Sequence, residues 1–152
     1  YIYLREELNN LIEELILVDT VHLETNYLEE AEIIRLLTDS DLIVYPYQIS
    51  NESSSASVRQ GIASRVPVAV TPLNIFDDVQ DVVYTLPGFT GDLLAKGIMN
   101  WYQLEKNKSH SKIVEDMQKI EDWIDQYSFA KLGIRIQGMV QGVENDLFRK
   151  KY

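Results

Sequence analysis

Two short apolar runs bounded by proline constrain this chain more than any other feature: Asp41-Leu-Ile-Val-Tyr-Pro46 and Pro67-Val-Ala-Val-Thr71. Neither alternates apolar with polar residues, so each reads as a strand covered on both faces, as in a parallel sheet. The proline opening the second run stands at a strand start, where a missing N–H is tolerated. Between the runs, a polar loop leads into residues 55–64, which can form a helix. Strand, helix, strand is the repeating unit of a parallel sheet. The first run is expected at the centre of that sheet, with Val44, Val68 and Val70 buried. Val82-Val83-Tyr84 supplies a further short strand, and Val21-His22-Leu23 is expected beside the strand around Ile43. The predicted fold class is α/β, a doubly wound parallel sheet.

Helical spacing governs the rest. Leu8, Leu11, Ile12, Leu15 and Ile16 recur at three- and four-residue steps, predicting an amphipathic helix over residues 4–16. Asn26 with Glu29 forms a capping pair that predicts a second helix over 27–37. From Thr90 the strand signal ends. Three helical segments follow, 90–107, 111–126 and 128–148, and residues 90–148 read as a helical tail of the same domain. Trp101, Trp123 and Phe129 fall at packing positions and are expected to anchor the core. The chain has no initiating Met and opens on a helix with no strand before it. It therefore reads as one domain, residues 1–152, truncated on its N-terminal side.

The 152 residues carry a net charge of -10, which disfavours nucleic acid and anionic membrane surfaces as partners. A phosphate ligand would have to be held locally. No cysteine is present, so disulfides, thiol nucleophiles and thiolate metal sites are excluded, and a reducing cytoplasm is the expected home. No apolar run approaches the ~20 residues of a membrane span. His22 and His110 have no partner at ligand spacing, and Asp77-Asp78 reads as capping or solvated charge, so no metal is expected.

Ligands of open parallel sheets bind outside the carboxyl ends of the strands, where Asn51-Glu-Ser-Ser-Ser55 falls. Small residues at a helix start leave backbone N–H groups free for an anion, and the helix dipole adds roughly half a positive charge. The residues alone fit two readings: helix caps beside a solvated acid, or a cradle for a diphosphate.

Asp41-Leu-Ile-Val-Tyr-Pro46, then Glu52-Ser-Ser-Ser-Ala-Ser-Val-Arg-Gln60-Gly-Ile-Ala63, then Pro67-Val68 resemble, without gaps, the retaining GT-B glycosyltransferases of family 4. Glu32–Leu37 matches the helix preceding that strand, and the segment from Thr90 matches the family's later helices, so the resemblance covers most of the chain. It implies the Rossmann-like C-terminal half of a GT-B fold, holding a nucleotide-diphosphate sugar. The acceptor, a glycan or a lipid-linked molecule, would sit on a separate N-terminal half. Glu52 would be the catalytic-site acid contacting the donor sugar. The amides of Ser53, Ser54, Ser55 and Ala56 would face sugar and diphosphate.

The resemblance implies no cofactor beyond this donor. Two positions depart from the family. Gln60 replaces an acid that accepts from the ribose hydroxyls, and it brings only one acceptor oxygen. Arg65 replaces a glycine before the second strand, so a reshaped turn is expected there. The family's first strand and the basic pair that neutralises its diphosphate find no counterpart here. Tyr27, in a strand-to-helix loop, could stack on the base or simply pack on the surface. The departures leave a second functional class open, a degenerate, non-catalytic glycosyltransferase-like module for binding or assembly. A signalling receiver would need clustered acids after its first strand and a later lysine, and neither pattern is present.

Overall fold

The computed structural model describes residues 2–149, with side chains for residues 3–143. The chain divides into two compact units, Tyr1–Ile33 and Ile34–Tyr152.

The first unit holds helix α1 (Ile2–Glu14), as its apolar spacing predicts. It stops at Ile16, whose φ of 57° is left-handed, and Leu17 N–H closes back on Ile12 O at 2.9 Å. A side chain in that region is strained, because Cβ crowds the next carbonyl. The strand expected at Val21–Leu23 does not form. Val21 N–H is taken by Leu17 O at 2.8 Å, so no ladder can begin there. The Asn26 cap also fails: Asn26 N–H is bonded to Glu24 Oε1 at 2.7 Å, a bond that holds the Glu24 carboxyl below its ordinary value. Helix α2 (Glu30–Thr38) starts later than its sequence suggests, with Glu29 O as the acceptor for Glu32 and Ile33 N–H.

The second unit is built on a three-stranded parallel sheet ordered β1 (Ile43–Tyr45), β2 (Val68–Val70), β3 (Tyr84–Thr85). Ile43, Val44 and Tyr45 stand opposite Val68, Ala69 and Val70. Ala69 and Val70 then stand opposite Tyr84 and Thr85. The centre is therefore β2, not β1. Val68, Ala69 and Val70 are buried, whereas Val44, on the outer strand, is only half-buried. Within this sheet β2 has a paired strand on each edge, whereas β1 has one on a single edge.

Helix α3 (Ala56–Ala63) packs on the sheet through Val58 and Ile62, which join Ile43, Val66, Val68 and Val70 in one core cluster. Gly61 permits the close approach: a Cβ there would lie 2.8 Å from the Tyr45 hydroxyl and 3.3 Å from Val68 Cγ2. That hydroxyl is fixed, because it donates to Ser57 O at 2.6 Å. After α3 the chain turns at Arg65 with φ 64°, so the left-handed turn a glycine would favour is kept rather than reshaped. The Arg65 guanidinium pairs with Glu121.

A 3-10 stretch, Asn74–Val82, buries Ile75, Phe76 and Val79 against the same core. Helices α4 (Gly91–Lys106), α5 (His110–Gln126) and α6 (Phe129–Arg149) complete the unit. Trp123 packs against the core, while Trp101 is half-buried. Phe129 is 95 % exposed and anchors nothing in this unit, because it opens α6 and α5 covers only part of that helix. No described helix is long and apolar enough to cross a membrane.

At the α4–α5 junction, Lys108 is shared by Glu105 and Asp116, and Lys112 bonds Asp116 at 3.2 Å. The Asp116 carboxyl is held below its ordinary value chiefly by the Lys108 ammonium, against the opposing effect of burial, with Lys112 adding to it.

Two measurements check this packing. Gly61→Ala should cost about 1–2 kcal/mol in denaturant unfolding despite alanine's better helix propensity, and the loss should shrink in the Tyr45→Phe background. A carboxylate with a lowered folded pKa contributes stability above its unfolded pKa and loses it as pH falls. Acid titration of stability should therefore fall below about pH 4, and more shallowly in Asp116→Asn.

Candidate functional site

The carboxyl ends of β1 and β2 carry two loops, 46–55 and 71–73, and one buried hydroxyl ties them together. Thr71 Oγ1 donates to Tyr47 O at 2.5 Å, while Thr71 N–H reaches Tyr45 O at 3.4 Å. Tyr47 stacks at a tilt on Phe76, with ring centroids 5.5 Å apart, and lies edge-on to Tyr45 at 6.2 Å. An aromatic base thus supports the 46–55 loop from the core side.

Ser55, 3 % exposed, caps α3 by accepting Val58 N–H at 3.3 Å. Arg59 then clamps the cap: Nη1 donates to Ser55 O at 3.0 Å and Nη2 bonds Asp78 in the 3-10 stretch. Ser55 and Thr71 are the buried polar residues among the described residues, and both belong to this edge. Each is hydrogen-bonded, as burial of a hydroxyl demands.

Between the two loops lies an open cleft of about 310 Å³. Ser50, Glu52 and Ser53 line one side, and Pro72, Leu73, Asn74 and Ile75 line the other. Glu52 is exposed, and its amide is held by the Ser50 hydroxyl at 3.2 Å. No described hydrogen bond is donated by the amides of Ser53, Ser54, Ser55, Ala56 or Ser57. They form the open N-terminal end of α3, where N–H groups and the helix dipole favour an anion.

The residues singled out from sequence therefore separate. Glu52 and Ser53 share the cleft. Ser54 and Ala56 are exposed beside it, whereas the Ser55 hydroxyl is spent on capping. Gln60 is exposed on α3 and does not line the cleft. Tyr27 is 90 % exposed in the first unit, on a segment without regular secondary structure. Asp77 accepts from Gln80 Nε2 at 2.8 Å and Asp78 is engaged by Arg59. Among the described residues, no group of three or more His, Asp or Glu side chains gathers as a metal site would require. Sequence reasoning missed the wall formed by Pro72–Ile75 and the Arg59–Asp78 clamp. The signal for the wall was positional, since those residues directly follow the second buried strand.

Thr71→Val should destabilise the second unit by about 1–3 kcal/mol, because the Tyr47 carbonyl loses its partner in a poorly solvated place. Thr71→Ser, which keeps the hydroxyl, should lose less. Urea midpoints of the two variants at constant slope would check both.

No family model, no curated protein and no solved structure matches this chain.

Proposed function

We propose that this chain is the donor-binding part of a retaining glycosyltransferase, holding a nucleotide-diphosphate sugar at the carboxyl edge of its parallel sheet. The observation that carries the reading is the cleft shared by Glu52, Ser53 and the segment after β2, beside undonated amides at the start of α3. An acidic protein can hold a diphosphate with such amides, which need no basic surface. Oriented N–H groups stabilise charge as it develops on a departing diphosphate, and such electrostatic terms are commonly the largest in enzymes. Glu52 positions the sugar. On this reading the sheet belongs to a doubly wound, Rossmann-like GT-B half working in the cytoplasm. The acceptor, a glycan or lipid-linked molecule, is presented by a second half.

Gln60 bears on a second reading. It is neutral where the resembled family has an acid, and it stands outside the cleft. A non-catalytic binding module would tolerate both features.

Titrating the chain with UDP, GDP and ADP, and with UDP-glucose, GDP-mannose and ADP-glucose, checks the proposal by amide NMR. Binding near ~1 mM, equivalent to about -4 kcal/mol, should move the amides of residues 52–57. Gln60→Glu adds an acceptor for ribose hydroxyls and should tighten whichever nucleotide binds by roughly 1 kcal/mol. Silence of those amides toward all six compounds would overturn the reading. Binding that Gln60→Glu leaves unchanged would favour the non-catalytic module.

A further inference from the structure

The cleft between the two loops is small and mixed in character. At about 310 Å³ it stands at the lower end of the range for small-molecule sites, suited to one sugar ring rather than a whole nucleotide sugar. Its polar groups are the Glu52 carboxylate, the Ser50 and Ser53 hydroxyls and the Asn74 carboxamide, while Pro72, Leu73 and Ile75 supply apolar surface. No lysine or arginine is among these lining residues. The nearby Arg59 is turned to other work, bonded to Ser55 O and paired with Asp78.

This set has a definite preference. A carboxylate accepts hydrogen bonds and cannot donate them, whereas a carboxamide offers two donors and one acceptor. Lining one cleft together, they suit a ring whose hydroxyls both donate and accept. The Asn74 side chain takes part in no described hydrogen bond, so its donors stay available to a ligand. An anionic sugar meets the opposite situation, since its carboxylate would approach Glu52 with no cation on the cleft wall. Two like charges a few ångströms apart repel even in water.

We infer that this cleft is a monosaccharide subsite selective for neutral sugars, in which Asn74 donates to a sugar hydroxyl and Glu52 rejects uronates. The inference rests on the proposed donor-binding function for its nucleotide but not for its sugar chemistry.

Amide NMR titration with UDP, UDP-glucose and UDP-glucuronate tests it, together with methyl glucoside and methyl glucuronide, which carry no nucleotide. UDP-glucose should bind at least about fivefold more tightly than UDP-glucuronate and move the Ser53 and Asn74 signals beyond what UDP alone does. Glu52→Gln should bring the two sugars' affinities together. Asn74→Ala should weaken UDP-glucose toward UDP while leaving UDP affinity unchanged. Equal affinity for glucose and glucuronate compounds, or an Asn74→Ala variant that binds UDP-glucose as the parent does, would overturn the subsite while the nucleotide function stood. If the methyl glucoside moves these signals more strongly than the glucuronide while the nucleotides move nothing, the subsite stands and the nucleotide reading falls. Silence toward all five compounds would overturn both.

Discussion

The hydroxyl of Thr71 ties together the two loops at the carboxyl edge of this sheet. It bonds the Tyr47 carbonyl from the end of the neighbouring strand, so the loops following β1 and β2 leave the sheet as one piece. That bond adds to the Thr71 N–H bond to Tyr45 O and the packing of Tyr47 on Phe76, and it matters because β1 and β2 are three residues each. The Ser55 cap and the Arg59 clamp extend the same fixation to the first turn of α3 and the middle of the 3-10 stretch. Rigid support beneath an exposed loop is what allows a few surface groups to hold a fixed geometry.

Close packing beneath the edge depends on a different economy of space. Gly61 lets α3 settle onto Tyr45 and Val68, and Arg65 accepts a left-handed backbone so that the chain can turn straight into β2. The second of these is unusual, because the residue carrying the strain is a long cation rather than glycine. Its partner Glu121 lies on α5, and the pair links the turn to a helix far along the chain. An exposed ion pair of this kind contributes little energy. Its effect is to fix which way an unfavourable turn faces.

Sequence patterning made β2, α3 and the helices after Thr90 legible, because each is specified by its own spacing and caps. Ser55 and Ser64 bracket α3 as the small polar residues at its ends suggest. The strand expected at Val21 was not legible as a loop, since what cancels it is a backbone bond from Leu17, invisible in side-chain pattern. The order of strands is equally non-local: the runs at Ile43 and Val68 look alike, and only pairing reveals that β2 is the inner one. Glu52 and Ser53 could be placed at the edge from the rule for parallel sheets. Asn74 could not, because it reaches the cleft from the start of the 3-10 stretch rather than from any motif of its own.

The way β1, α3 and β2 adjoin one another has a kinetic meaning. Each strand pairs with the next in the chain, and each pairing encloses one connection, α3 between β1 and β2 and the 3-10 stretch between β2 and β3. Helix α5, by contrast, reaches back to α3 and to the 3-10 stretch across a long intervening segment. Parallel pairing joins residues far apart in the chain, here Ile43 with Val68, and such non-local contacts form slowly because loop closure must come before they reward it. The edge carrying Glu52 is therefore complete only once that closure has brought β1 and β2 side by side, and the packing of α5 on α3 spans separations longer still.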